Sequence, residues 1–303
     1  MVKRYKELLH QSPQELSLLT GISDSKLSAF HEKLSSEGKR LYRNLAWRNI
    51  DDPYAVWISE VMLQQTQVSR VIDRWDSWLK KFPTVDALAS ASQSDVLLEW
   101  QGLGYNRRAL NVLKTARIVS ENYHGHFPHS LDDLLDLPGI GAATAGGIKA
   151  FAFNERALYL ETNVRSVLLD SFFKDEYDVG DSRLYPVLAQ ILPTENYRSF
   201  YYALLDCGAH LKKNQSNPSR RSKHYAKQSK FEGSRRQKRA ELLRFVLNAP
   251  EGIREDDLIN LINEEEHKAG RERLSNKEVI SILDDLVSEG FIRYENQSYT
   301  SAT

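Results

Sequence analysis

The sequence predicts a mostly α-helical protein with a small α+β domain near its C-terminal end. Three observations carry that expectation. Apolar residues recur at spacings of three and four through 56–82 and in the segments that follow. No alternating strand pattern occurs before residue 240. After a dense basic stretch the chain reads as three helices followed by two short strand-like runs.

The elements follow in order. Residues 1–25 read as an appended short helix or two, with Ser23 or Asp24 capping the next helix. In 56–82 the apolar positions are Trp57, Val61, Val68, Val71, Ile72, Trp75, Trp78, Leu79 and Phe82. The polar run Gln64-Gln65-Thr66-Gln67 interrupts them, which predicts two helices joined there, and Phe82-Pro83-Thr84 ends the second. Helical segments are expected at 84–90, 93–101, 106–122, 130–136, 142–152 and 162–173. Gly102-Leu103-Gly104, Phe127-Pro128 and Pro138-Gly139-Ile140-Gly141 punctuate them. Beyond the basic stretch, 235–247, 256–268 and 276–289 read as helices, and 290–294 and 297–300 as strands joined at Glu295-Asn296. Three helices and a terminal hairpin are the pattern of a winged helix.

Composition narrows the function classes. The chain has 303 residues, 41% apolar and 27% charged, enough to bury a core and too apolar for a disordered chain. Its one cysteine, Cys207, excludes a disulfide framework, a thiolate zinc site and a cluster held by four cysteines. No run approaches 18 apolar residues, and the start, MVKRYKELLHQS, lacks the apolar stretch of a signal peptide. The expectation is a soluble protein of the cell interior, with no membrane contact. The formal net charge is zero but unevenly spread. Residues 212–239 hold eleven Lys or Arg against one acid, whereas 240–303 hold 14 acids and 7 bases. The basic stretch reads either as a polyanion contact or as a solvated linker.

The strongest local signal is Leu137-Pro138-Gly139-Ile140-Gly141, followed by the small residues Ala142 to Gly147. Two glycines two apart between helices make a tight turn whose free N–H groups, at a helix start, suit an anion such as a DNA phosphate. Upstream lies the run Trp57-Ile58-Ser59-Glu60-Val61-Met62-Leu63-Gln64-Gln65-Thr66-Gln67-Val68, preceded by Asp52-Pro53-Tyr54. Gly102-Leu103-Gly104-Tyr105 and Glu161-Thr162-Asn163-Val164-Arg165 complete the set. In these motifs the chain, from about residue 40 to 211, resembles the helix-hairpin-helix (HhH-GPD) DNA glycosylases, and within them the adenine-specific mismatch glycosylases of the MutY type.

The resemblance implies a two-lobed helical glycosylase fold and a reaction. Glu60 would be the general acid that protonates N7 of the leaving adenine; its apolar neighbours Trp57, Val61 and Leu63 favour a raised carboxyl pKa. A second carboxylate should face the cationic sugar. The family has an aspartate there, followed by glycine; this chain has Glu161 and Thr162, one methylene longer and without the glycine. Asn163 would hold that carboxylate and the flipped nucleotide. Ala143 stands where strand-cutting relatives carry a nucleophilic lysine, which implies a monofunctional enzyme. Leu63, Gln64 and Tyr105 would fill the gap left by the extruded base, Gln65 lies in the same run, and Trp47 and Arg48 match a pair near the base pocket. Gly139, Ile140, Gly141 and Ala143 would bind phosphate at the hairpin, with a monovalent cation there left open.

Two departures matter. Most family members follow the Leu-Gly-Ala region with four cysteines that hold an iron–sulfur cluster; here the corresponding loop carries Arg220, Arg221 and Lys223, expected to contact phosphate, and no metal is implied. The C-terminal segment is too short for the domain that checks for 8-oxoguanine in MutY-type enzymes. The expected organisation is an N-terminal helical extension at 1–25, a glycosylase core at 26–211, a basic segment at 212–239 and a winged-helix-like domain at 240–303. The expected substrate is duplex DNA with adenine opposite G or 8-oxoguanine, acted on by a monomer, with a protein partner of the tail left open. A glycosylase for thymine or uracil and an inactive DNA-binding or regulatory protein are the rivals.

Overall fold

The computed structural model describes residues 2–227 and 229–302. In chain order its helices and strands are α1 Val2–His10, α2 Pro13–Thr20, α3 Asp24–Leu41, α4 Pro53–Leu63, α5 Val68–Lys81, α6 Val85–Ala89, α7 Gln93–Glu99, α8 Arg107–Asn122, α9 Leu131–Asp136, α10 Ala142–Phe151, α11 Thr162–Phe172, α12 Asp181–Ile191, α13 Tyr197–Asn214, α14 Arg235–Leu247, β1 Ile253–Arg254, α15 Glu255–Lys268, α16 Asn276–Ser288, β2 Ile292–Glu295 and β3 Ser298–Ser301. Side-chain caps written into the sequence start many of them. Ser12 and Ser275 form full capping boxes with Glu15 and Glu278, and Ser23, Asp52, Thr84, Ser92, Ser130 and Ser234 each accept a first-turn N–H. The glutamine run stops α4, and Gln65 takes a left-handed φ of 54° there.

The chain forms two units. The first comprises Met1–Val68 and Glu121–Ala226. At its centre is α4, where every residue from Tyr54 to Met62 is buried; a helix with no polar face is a core helix, and α10 packs along it. Helix α13 packs between α3 and α11. Residues 157–160, in neither helix nor strand, link α10 to α11 and are held from two tyrosine hydroxyls: Leu158 N–H donates to Tyr5 (3.0 Å) and Tyr159 N–H to Tyr201 (3.0 Å).

The second unit comprises Ser69–Ser120 and Lys227–Thr303. Trp78 packs edge-on against Trp100 (5.4 Å between ring centroids) and Phe82 (5.0 Å). Its C-terminal part is a three-helix, winged-helix-like fold with an antiparallel sheet ordered β1-β3-β2, in the register Ile253↔Tyr299 and Ile292↔Ser301. Strand β1 escapes the sequence pattern because two residues cannot alternate. This part packs on the 69–120 helices, with Gln93 donating to the Gly290 carbonyl (2.8 Å).

The basic stretch does not form one element. Lys212 and Lys213 end α13, and Pro218–Arg221 is a short 3-10 helix, both in the first unit. Arg235, Lys238 and Arg239 begin α14 in the second unit and pair with acids of the tail: Asp285 (2.7 Å), Glu266 (2.8 Å) and Glu289 (2.9 Å). Part of the charge that reads as a polyanion contact is therefore internal, and the acidic tail is its counterpart. No described helix is long and apolar enough to cross a membrane.

Candidate active site

Helix α4 carries Glu60 into the interior, where its residue is 9% exposed. The carboxylate has room because residue 147 on the facing α10 is glycine: a Cβ there would lie 2.8 Å from Glu60 Cδ and collide with its oxygen. The hydrogen-bond partner of Glu60 is the hydroxyl of Tyr159, itself buried. Burial pushes the Glu60 pKa up to about 8; the Tyr159 hydroxyl opposes that rise and the charge of Glu161 adds to it. Among the described residues Glu60 has no ion-pair partner. It is a protonated acid at neutral pH.

Glu161 sits two residues beyond Tyr159 and is the N-cap of α11. Its Oε1 accepts the N–H groups of Asn163 (2.6 Å) and Val164 (3.0 Å), and its Oε2 accepts Asn163 Nδ2 (3.3 Å). Burial raises the Glu161 pKa, opposed chiefly by the Val164 N–H and then by the charge of Lys212. The residue thus caps a helix and presents a second carboxylate beside Glu60. The buried Oδ1 of Asn163 has no hydrogen-bond partner. A buried acceptor without a donor carries a desolvation cost and marks a polar atom available to a ligand.

The remaining expected residues fall in several places. Gln64, at the end of α4, donates from Nε2 to Thr144 Oγ1 (3.1 Å), next to Ala143 at the start of α10. Leu63 is half-buried and Gln65 exposed. At the hairpin between α9 and α10, Gly139 takes φ 77° and is exposed, Ile140 is buried with its N–H on the Leu137 carbonyl (3.1 Å), and Gly141 caps α10 with no side-chain bond. Those first α10 N–H groups, at Ala142 and Ala143, are the ones a phosphate would use. Tyr105 lies in the second unit, 40% exposed at a left-handed φ of 49°, with Arg236 donating to its hydroxyl (3.2 Å).

Two arginines of the expected set make internal bonds. Arg48, beside the buried Trp47, places its guanidinium on both oxygens of buried Asp206 (2.7 and 2.8 Å) and over the Tyr202 ring, so it ties the 42–49 loop to α13. Arg221 donates to the carbonyls of Leu169 (3.0 Å), Phe173 and Lys174 and so closes the C-terminal end of α11. Unsatisfied helix-end carbonyls explain that placement. Arg220 and Lys223 are exposed.

Sequence reading alone misses Gly147, Tyr159, Gly208 and Lys212. The run of small residues at 142–147 is the visible signal for Gly147; nothing in the local pattern singles out Tyr159 or Lys212.

A buried acid held by a tyrosine, with the charge of a second carboxylate acting on it beside a helical hairpin, defines a class. Residues 58–204 match the family model of the HhH-GPD superfamily base excision DNA repair proteins. Curated relatives of this chain include adenine DNA glycosylases. That of Buchnera aphidicola subsp. Baizongia pistaciae (strain Bp) is 38% identical over 170 residues, covering 55% of this chain and 48% of the relative. That of Mycobacterium tuberculosis (strain ATCC 25618 / H37Rv) is 34% identical over 193 residues (62% and 61%), and that of Mus musculus 39% over 175 residues (55% and 34%). The chain spans about half the length of the first relatives it matches. Among solved structures, a thermostable thymine-DNA glycosylase superposes with a TM-score of 0.55 at 24% identity (61% of this chain, 87% of that one). A non-covalent endonuclease III–DNA complex superposes at 0.51 with 20% identity (59% and 84%). These two likenesses show the helix-hairpin-helix glycosylase fold.

The residues present do not fit the iron–sulfur cluster that the resemblance implies for most members. Cys207 is the one thiol, it is buried, and burial pushes its pKa up to about 11. One protonated thiol cannot replace four thiolates.

Proposed function

We propose that this protein is a monofunctional DNA glycosylase that extrudes a mispaired adenine, opposite guanine or 8-oxoguanine, and hydrolyses its N-glycosidic bond. The observation that carries the reading is Glu60: a buried carboxyl pushed to about pH 8 and held by Tyr159 beside a second carboxylate. The relatives that match 55–62% of the chain are adenine DNA glycosylases, which supports adenine over other bases.

The chemistry divides between the two carboxyls. Glu60, protonated at neutral pH, donates its proton to the leaving base. The C1′–N bond breaks and leaves a cationic sugar, which the anionic Glu161 faces. Asn163 fixes Glu161 through its amide and offers its unpartnered Oδ1 to the nucleotide or the attacking water. Water completes the hydrolysis. Ala143, where a strand-cutting relative would carry an amine, offers no nucleophile. The duplex backbone meets the N–H groups that open α10. No metal cluster takes part. We read the protein as a monomer acting on DNA inside the cell, with the winged-helix-like tail free for a protein partner.

The test is single-turnover excision on duplexes carrying each mispair and each common lesion. The expected result is adenine release from A·G and A·8-oxoguanine. Release of thymine or uracil instead would move the activity to another base. Tight duplex binding with no excision of any base would make the protein a DNA-binding module.

A further inference from the structure

Helix α13 approaches the candidate site from behind. Gly208 lies against the start of α11: a Cβ there would fall 2.6 Å from the Asn163 carbonyl carbon and collide with its oxygen. Residue 212 follows one helical turn later on the same face, and helical side chains lean back toward the helix N-terminus. Lys212 therefore lies on the face of α13 that packs against the start of α11, whose N-cap is Glu161. Lys212 is half-buried, and no ion pair or hydrogen bond holds its ammonium among the described residues.

The charges around this spot are few. Lys212 acts on Glu161, and Arg43 acts on Lys212. Glu161 is also acted on by Arg165 of its own helix, and its own charge acts on Glu60 and Tyr159. The other cations are already matched: Arg165 is bidentate to Asp181 (2.9 and 2.7 Å) and Arg43 binds Asp206. Lys212 is the cation left over, and Glu161 is the carboxylate it acts on.

We propose that Lys212 is the counter-ion of Glu161, a positioning residue whose ammonium holds that carboxylate as an anion turned toward the sugar while Glu60, with no cation of its own, keeps its proton. Two carboxyls with opposite tasks need opposite surroundings. Desolvation pushes Glu161 the wrong way, and Lys212 pushes it back. This inference rests on the glycosylase reading for the use made of the anion, and on the geometry of the free protein for the pairing.

The pairing can be read without substrate. In protein labelled with carboxyl-13C glutamate, with E161Q to assign the signal, the Glu161 titration is compared in wild type, K212M and K212R, with K212Q replacing K212M where that variant does not fold. The expected result is a Glu161 pKa raised by roughly one unit in the neutral variant and restored in K212R, the scale of one nearby opposite charge. Single-turnover excision should lose its acid-side limb at correspondingly higher pH, while duplex affinity and its salt dependence stay unchanged. An unmoved Glu161 titration would overturn the proposal. A flattened salt slope with that titration unmoved would make Lys212 a phosphate contact. Failure of the wild type to excise any base would count against the glycosylase reading and leave the titration result to judge Lys212.

Discussion

Glu60 and Glu266 are buried glutamates, one in each unit, with opposite surroundings. Glu266 receives Arg271 (2.7 and 3.0 Å) and Lys238 (2.8 Å), and these partners hold its pKa down to about 2. Glu60 has a tyrosine hydroxyl and a glycine gap, and its pKa stands at about 8. The same side chain serves as a permanent anion that fastens three segments of the second unit, or as a proton store. Burial alone decides neither outcome; the presence or absence of a cation does.

The largest expected effect comes from removing the stored proton. Glu60→Gln keeps the shape and hydrogen-bonding capacity but cannot act as an acid, so excision should fall by roughly 100- to 10,000-fold with duplex binding retained. A single-turnover loss of less than about tenfold would remove Glu60 from the acid role.

At the other pole, Glu266→Gln should leave the chemistry alone and weaken the second unit by about 3 kcal/mol, the typical cost of stripping one partner from a buried charge cluster. Denaturant unfolding checks this. The pH sign follows from a folded pKa of about 2 below the ordinary 4.5. That stabilisation is present above pH 4.5 and is lost as the pH falls from there toward 2; the variant should lack this acid-sensitive component.

The pH dependence of excision sharpens the contrast. Glu60 must be protonated, so single-turnover rates should fall about tenfold per pH unit above roughly pH 8. Glu161 must be ionised and its pKa is raised, so rates should also fall on the acid side, beginning above the ordinary carboxylate range. A profile flat from pH 7 to 10 would contradict the proton store.

The smallest effect concerns the exposed cations of the basic stretch. Replacing Arg220 and Lys223 with alanine should weaken binding to all duplexes alike and flatten the salt slope by about two, near 0.9 for each phosphate no longer neutralised. Arg221→Ala should instead lower thermal stability, because its guanidinium holds the end of α11. An unchanged slope in the double variant would leave those two side chains solvated.

The helices are legible in the sequence because their signals are local. Caps such as Ser234 and Ser275, and the three–four spacing of α5, lie within a few residues of what they specify. Glu60, Glu161 and Asn163 are legible through motifs, and the structure sets Glu60 on the Tyr159 hydroxyl and within reach of the Glu161 charge. What cannot be read are pairings between distant positions. Nothing near Gly147 announces that Glu60 needs its space, and nothing near Arg48 announces Asp206, 158 positions away. Charge runs mislead for the same reason: Arg235, Lys238 and Arg239 of the basic stretch find their acids in the tail.

The linking segment at 157–160 has a bearing on where this protein can be cut. The superfamily match starts at residue 58, yet the segment that delivers Tyr159 and Glu161 hangs in part from the Tyr5 hydroxyl in α1. A fragment trimmed to the matched region would keep every motif residue from Glu60 to Asn163 and lose one of the two pegs beneath them. The N-terminal extension is therefore scaffolding for the segment that carries Tyr159 and leads into Glu161, and its removal should loosen that segment.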